Sequence, residues 1–305
     1  MQHRLRRLAL IGSIACVPAL GTLIGVAGPA TASTAATQAT QATRSTQTTP
    51  SAQAAAAARN AIKQLVVGDH GTNHAVSGHA LAHPPRGGVS ALNQVTSTNW
   101  SGYADDSTGG HTYSKVTGNW TEPSASCTST ESLAAFWIGI DGYTSSSVEQ
   151  DGTLVECYRS TAYYYTWWEM YPSNAIQVVG SSVSPGDSIS TSVTKSGTSY
   201  KLTVTDSTHP ANSFSTTQSC SSCAASSAEW IAEAPSGSGG VEPLTNFHSW
   251  TASGATVTSG STSGVISSFP DDELTMINNS GAVKAQPGAL NGSGNGFTVT
   301  WERSS

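Results

Sequence analysis

The sequence predicts an all-β fold, a large antiparallel β-sandwich, over residues 96–305. Three observations predict it. Every Trp, Tyr and Phe of the 305-residue chain lies between Trp100 and Trp301, and aromatic side chains dominate core energetics. From Val95 onward, short alternating apolar and polar runs are separated by Gly, Ser, Pro, Asn and Asp. No segment of this stretch carries a convincing 3.6-residue apolar period. Many short strands over roughly 210 residues suit a sandwich better than a small barrel.

The clearest element is a hairpin within 183–205. Ser184-Pro185-Gly186-Asp187 makes a turn, and Ile189, Thr191 and Val193 then alternate with polar residues. Lys195-Ser196-Gly197-Thr198 turns the chain, and Tyr200, Leu202 and Val204 return it. That pattern is an antiparallel pair with one buried face.

Ahead of the sandwich the sequence reads as a removable leader. Arg4, Arg6 and Arg7 precede an apolar stretch from Leu8 to about Val26, and Ala30-Thr31-Ala32 offers a cleavage site. Residues 1–32 are therefore expected to be a signal peptide, and the protein is expected to be secreted to the extracellular space. Residues 33–95 read as a propeptide. Its first part is low-complexity Thr, Ala, Gln and Ser, and residues 51–67 favour a helix.

Charge divides at the same boundary. Residues 96–305 hold six Lys and Arg against 18 Asp and Glu, a net charge of −12, whereas 33–95 carries +3. A strongly acidic, Lys-poor domain does not attract nucleic acid or anionic membrane. No second run of about 20 apolar residues calls for a membrane span. A basic segment before an acidic domain predicts that the propeptide is an inhibitory partner of its own domain. A monomer is expected.

Cys127, Cys157, Cys220 and Cys223 remain after the signal, an even number in an exported chain. They predict two disulfides, with Cys127–Cys157 and Cys220–Cys223 favoured among three connectivities. No cofactor or metal is expected. G-x-S-x-G, H-E-x-x-H and Gly-rich nucleotide fingerprints are all missing, and His111, His209 and His248 are far apart.

Three segments instead set carboxylates among aromatics. In strands, Trp137, Gly139 and Asp141 share one face, opposite Phe136, Ile138 and Ile140. Trp167, Glu169 and Tyr171 share another, opposite Trp168 and Met170. Glu229, Ile231 and Glu233 share a third. A mid-strand carboxylate among bulky apolar residues is costly unless hydrogen-bonded or functional. Three such strands predict a cleft lining.

The motifs Asn99-Trp-Ser-Gly102, Trp137-Ile-Gly-Ile-Asp-Gly142, Gln150-Asp-Gly152, Trp168-Glu-Met-Tyr-Pro172 and Ala228-Glu-Trp-Ile-Ala-Glu233 occur in this order. In order and spacing they resemble the glutamic peptidases, or eqolisins, over nearly all of 96–305. The resemblance implies a concanavalin A-like sandwich of two curved antiparallel sheets. It implies a secreted precursor that hydrolyses polypeptides in acid without a metal. Gln150 and Glu229 match the family's catalytic pair; Trp137, Asp141, Trp168 and Glu169 match positions near its cleft. Glu229 would act as general base and Gln150 as oxyanion donor. Action in acid further predicts that hydrogen bonds hold the Glu229 pKa down. The alternatives are a glycoside hydrolase using two carboxylates among Glu229, Glu169 and Asp141, and a sugar-binding module on the same sandwich.

Overall fold

The alternation read from the sequence becomes strand throughout the predicted domain. The computed structural model describes residues 93–305 except Ser238, together with Ala56 and Ile62. All belong to a unit spanning residues 49–305. The expected signal peptide and most of the expected propeptide lie outside the described residues. No helix among the described residues is long and apolar enough to cross a membrane.

The strands run in chain order β1 (Asn93–Ser97), β2 (Trp100–Asp105), β3 (Tyr113–Thr121), β4 (Ser132–Ile140), β5 (Val148–Tyr158) and β6 (Thr161–Tyr171). Next come β7 (Asn174–Gly180), β8 (Ser188–Ser196), β9 (Ser199–Asp206), β10 (Phe214–Ser219), β11 (Ala228–Glu233) and β12 (Ser236–Gly237). The last are β13 (Gly240–Val241), β14 (Ser249–Ser259), β15 (Thr262–Gly264), β16 (Asp271–Ile277), β17 (Val283–Pro287) and β18 (Phe297–Trp301). The first strand starts at Asn93, slightly ahead of the boundary expected at residue 96.

One front layer runs β16-β2-β11-β4-β5-β6-β7, and a back layer runs β10-β9-β8-β3-β14. They join through β14-β18-β17-β16. Strand β14 makes the corner: its Ser249–Ala252 half pairs with β18, and the rest pairs with β3 after a register shift between Ser253 and Thr256. Gly254 sits in that shift at φ +58, the bulge-and-bend device by which a strand changes sheets. The predicted hairpin is β8–β9, with Val193 opposite Leu202 and Ile189, Val193, Tyr200, Leu202 and Val204 all buried.

The main core lies between the layers. Phe136, Ile138 and Trp230 meet Val116, Trp120, Val193, Leu202 and Trp250 there. Phe136 stacks on Trp250 with centroids 5.6 Å apart. Three carboxylates, Glu122, Glu149 and Asp151, are also buried. Both expected disulfides form, Cys127–Cys157 and Cys220–Cys223. The other face of the front layer carries a second apolar cluster, with Trp100, Trp137, Trp167 and Ile231. On that face the sequence-predicted catalytic residues gather.

Candidate active site

Strand pairing places six residues in one row across the front layer. Asp272 of β16 lies opposite Ala104 of β2, and Ala104 lies opposite Glu229 of β11. Glu229 lies opposite Gly139 of β4, Gly139 opposite Gln150 of β5, and Gln150 opposite Glu169 of β6. Directly opposed residues point to the same face, so Glu229 and Gln150 flank Gly139 at two strand spacings, about 10 Å between backbones. Gly139 puts no side chain of its own in that gap, and the edge of the Trp137 ring lies over it. A Cβ there would lie 2.9 Å from the Trp137 ring and 3.3 Å from the Gln150 Cβ. Gly139→Ala is therefore expected to keep the fold, crowd both side chains and lower kcat/KM by about 10²-fold, the scale of small misplacements at a reacting centre. Steady-state kinetics beside a thermal melt check it, and unchanged kinetics would remove the gap from the mechanism.

Gln150 is held from one side. Its Nε2 donates to Glu169 Oε2 at 2.8 Å, while its Oε1 is buried with no hydrogen-bond partner among the described residues. Glu229 is fully buried, and neither carboxyl oxygen has a hydrogen bond among the described residues. Burial pushes its pKa well above the ordinary carboxyl range, with Asp141 and Glu149 adding repulsion. The Ser227 hydroxyl and the Tyr143 backbone pull the other way and are outweighed. This corrects the expectation of a depressed pKa. Desolvation outweighs the few donors near the group.

Trp137 and Glu233 brace the neighbouring floor. Trp137 Nε1 donates to Glu233 Oε2 at 2.8 Å, Asn99 Nδ2 donates to Glu233 Oε1 at 3.3 Å, and Trp137 meets Trp100 edge-on at 4.9 Å. Asp141 has a different task. At φ +69 it leaves the strand, and its carboxylate accepts from the backbone N–H of Ala225 and Ser226 at 2.7 and 2.8 Å. The hydroxyls of Ser145 and Ser226 also donate to it. It pins the loop after β4 to the segment before β11. Trp168 is also placed elsewhere: it packs on the core between the layers, opposite Asp151. Two-residue alternation sends Trp167, not Trp168, to the face of Glu169.

Two groups were not singled out by sequence reasoning. Tyr143 donates its hydroxyl to Asp272 at 2.5 Å and packs against the cluster of the catalytic face. Asp272 ends the catalytic row. The run Asp271-Asp272-Glu273 was visible, but its place opposite β2 depends on a pairing across more than half the domain. Among the described residues, the groups with metal-ligand geometry are Asp187, Asp206 and His209, and Glu149 with Cys220 and Cys223. Neither includes Glu229 or Gln150, and the cysteines of the second are bonded to each other.

A family model described as the peptidase A4 family matches residues 98–300. The chain belongs to the peptidase A4 family. Aspergillopepsin-2 of Aspergillus niger is 30% identical over 235 residues, 68% of this chain and 79% of that protein. Scytalido-glutamic peptidase, solved with a peptide-based transition state analog, is 25% identical at TM-score 0.57, covering 67% of this chain and 98% of its own. SCP-B, an eqolisin solved with the tripeptide Ala-Ile-His, has the same identity and coverage at TM-score 0.55. The resemblance read from five motifs is thus a family membership, and the sandwich it implied is the sandwich present. Peptidase A4 membership makes this chain a peptidase acting on polypeptides, which removes the support of the two sugar-directed alternatives.

Proposed function

We propose that this peptidase is a secreted precursor whose Gln150 and Glu229 hydrolyse peptide bonds in acid. The observation that carries the reading is the row itself. Two buried polar side chains flank a residue without a side chain, and each has polar atoms that bond nothing among the described residues. A buried unsatisfied group costs about 1–3 kcal/mol, and a water and a bound peptide between the pair would supply the missing bonds.

In the reaction, opening of the site to solvent would relieve the desolvation of Glu229 and let it ionise. Glu229 would take a proton from a water held between the pair. That water would attack the carbonyl carbon, and the Gln150 amide N–H would stabilise the developing oxyanion. Glu229 would then pass the proton to the leaving amine. Glu169 supports this by orienting the amide through the 2.8 Å bond. Glu169→Ala is expected to lower kcat by roughly 10- to 100-fold, the equivalent of one charge-assisted hydrogen bond, with KM changing less. A rise confined to KM would reassign Glu169 to binding.

The leader belongs to the same reading. At net +3 against −12, residues 33–95 would pair with the acidic domain near neutral pH. They would loosen as its carboxylates protonate.

The test is digestion of casein between pH 2 and 7 by the acid-treated secreted protein, with EDTA, a serine-protease inhibitor and pepstatin in separate reactions. Digestion confined to acid and resistant to all three supports the proposal. A folded, leader-free protein that digests nothing would reject it, as would full inhibition by pepstatin.

A further inference from the structure

One residue far ahead of the first strand is wholly buried on the catalytic face. Ile62 is 0% exposed and belongs to the cluster of Trp100, Trp137, Leu154, Trp167 and Ile231. Ala56 and Ile62 are both helical, and Ala56 is exposed. The burial is therefore selective.

The cluster sits in register with the chemistry. Gly102, Ile231, Trp137, Gly152 and Trp167 form a second row across β2, β11, β4, β5 and β6. Each of these lies two residues along its strand from a member of the catalytic row, about 7 Å away. Gly152 separates Trp137 from Trp167, and a Cβ at Gly152 would fall 2.0 Å from the Phe136 carbonyl oxygen. The slot between the two indoles therefore stays free of side chain. Beside it, a small, water-sized pocket is bounded by Leu154, Trp167 and Ile176, with Gln150, Glu169 and Glu233 on its polar side. The walls suit an aliphatic side chain, and the two glutamates disfavour an acidic one.

Building on the proposed peptidase mechanism, we infer that this apolar row is the subsite for an aliphatic substrate side chain within two residues of the scissile bond, and that Ile62 stands in for that side chain in the full-length chain. The leader thereby holds the cleft by an apolar anchor as well as by charge. Two residues of extended chain span about 7 Å, the separation of the two rows. One bound peptide would thus reach both the Gln150–Glu229 pair and the slot.

The experiment uses the full-length chain carrying Glu229→Gln, so that it cannot process itself. Arg59 and Lys63 flank Ile62, and trypsin cleavage after them reports whether the anchor is seated. Ile62→Glu is expected to speed that cleavage at least 10-fold near neutral pH, given what burial of an Ile side chain contributes, whereas Ile62→Leu leaves it near the parent rate. Circular dichroism of both variants should match the parent, which separates release of the leader from unfolding. Equal cleavage of all three chains would overturn the anchor. In the second arm, acid-activated wild type is given a peptide series varied at one position. Peptides with Ile or Leu there are expected to be cut at least 10-fold faster than the Asp peptide. Cleavage indifferent to that residue at every position of the series would overturn the subsite. The trypsin arm needs no hydrolysis by this protein. Normal leader release beside no cleavage of any peptide would therefore reject the peptidase reading, and the subsite with it, while keeping the anchor.

Discussion

Glu229→Gln is expected to lower kcat/KM on a polypeptide substrate by roughly 10²- to 10⁴-fold, the contribution of a positioned general base, while the thermal midpoint stays level or rises. The two halves have one cause. Glu229 is buried without a hydrogen bond among the described residues, and burial raises its pKa, favouring the neutral form. A neutral amide of the same shape suits that environment at least as well as the carboxylic acid. An amide cannot take a proton from water, so the reaction stops although the fold does not suffer. Gln150→Leu removes the oxyanion donor instead, a loss of about 3 kcal/mol or roughly 10²- to 10³-fold in rate. Because both groups serve one transition state, the double variant should fall well short of the product of the two losses. Activity of either single variant above a tenth of wild type would mean that the pair is misassigned.

The second large effect is loss of stability as pH rises. Glu122, Glu149 and Asp151 are buried, with Trp120 Nε1 donating to Glu122 at 3.2 Å. Burial pushes Glu122 up to about 8. Burial and then the charge of Asp141 push Glu149 up to about 9. Asp151 moves in the same direction for the same first reason. In the unfolded chain these carboxyls titrate near 4. Below that pH both states hold their protons, and the folded state keeps its full stability. Above it the unfolded chain ionises while the folded chain remains protonated, so stability falls with pH until the folded pKa values are passed. At about 1.4 kcal/mol per pH unit per group, the loss by mildly alkaline pH is on the order of 5 kcal/mol for each glutamate. That is comparable to the whole stability of an ordinary domain. Urea unfolding followed by tryptophan fluorescence should show a plateau near about pH 4 and a steep decline toward about pH 8. Glu122→Gln and Glu149→Gln should each make the decline shallower. A midpoint that stays constant between pH 4 and 8 would show that these carboxyls are hydrated in solution.

Much of this molecule was legible before any tertiary structure. Alternation of period two depends only on the geometry of an extended chain. It therefore assigned Trp137, Trp167, Glu169 and Glu229 to the faces they occupy, and it marked Trp168 as pointing away. The hairpin of β8 and β9 was readable because its turns and both strands are local. Spacing and the export expected of the chain favoured, among three connectivities, the disulfide pairing that forms. Motif order, which survives divergence better than any one motif, carried the family.

What the tertiary structure decided is what depends on pairing between distant strands. Register alone sets Gly139 between Glu229 and Gln150, and brings Asp272 into line with them across β2. Asp141 shares its local pattern with cleft residues, yet a positive φ at the strand end turns it into a clasp for the segment at residues 225 and 226. Charge environment was the least legible quantity. A sequence lists carboxylates but not their solvation, and the Glu229 pKa is raised where acid chemistry suggested it would be lowered. The position of Ile62 in the catalytic-face cluster belongs to the same class. Composition makes a leader helix plausible, but only packing shows which of its residues is buried, because burial is a property of the surface that meets it.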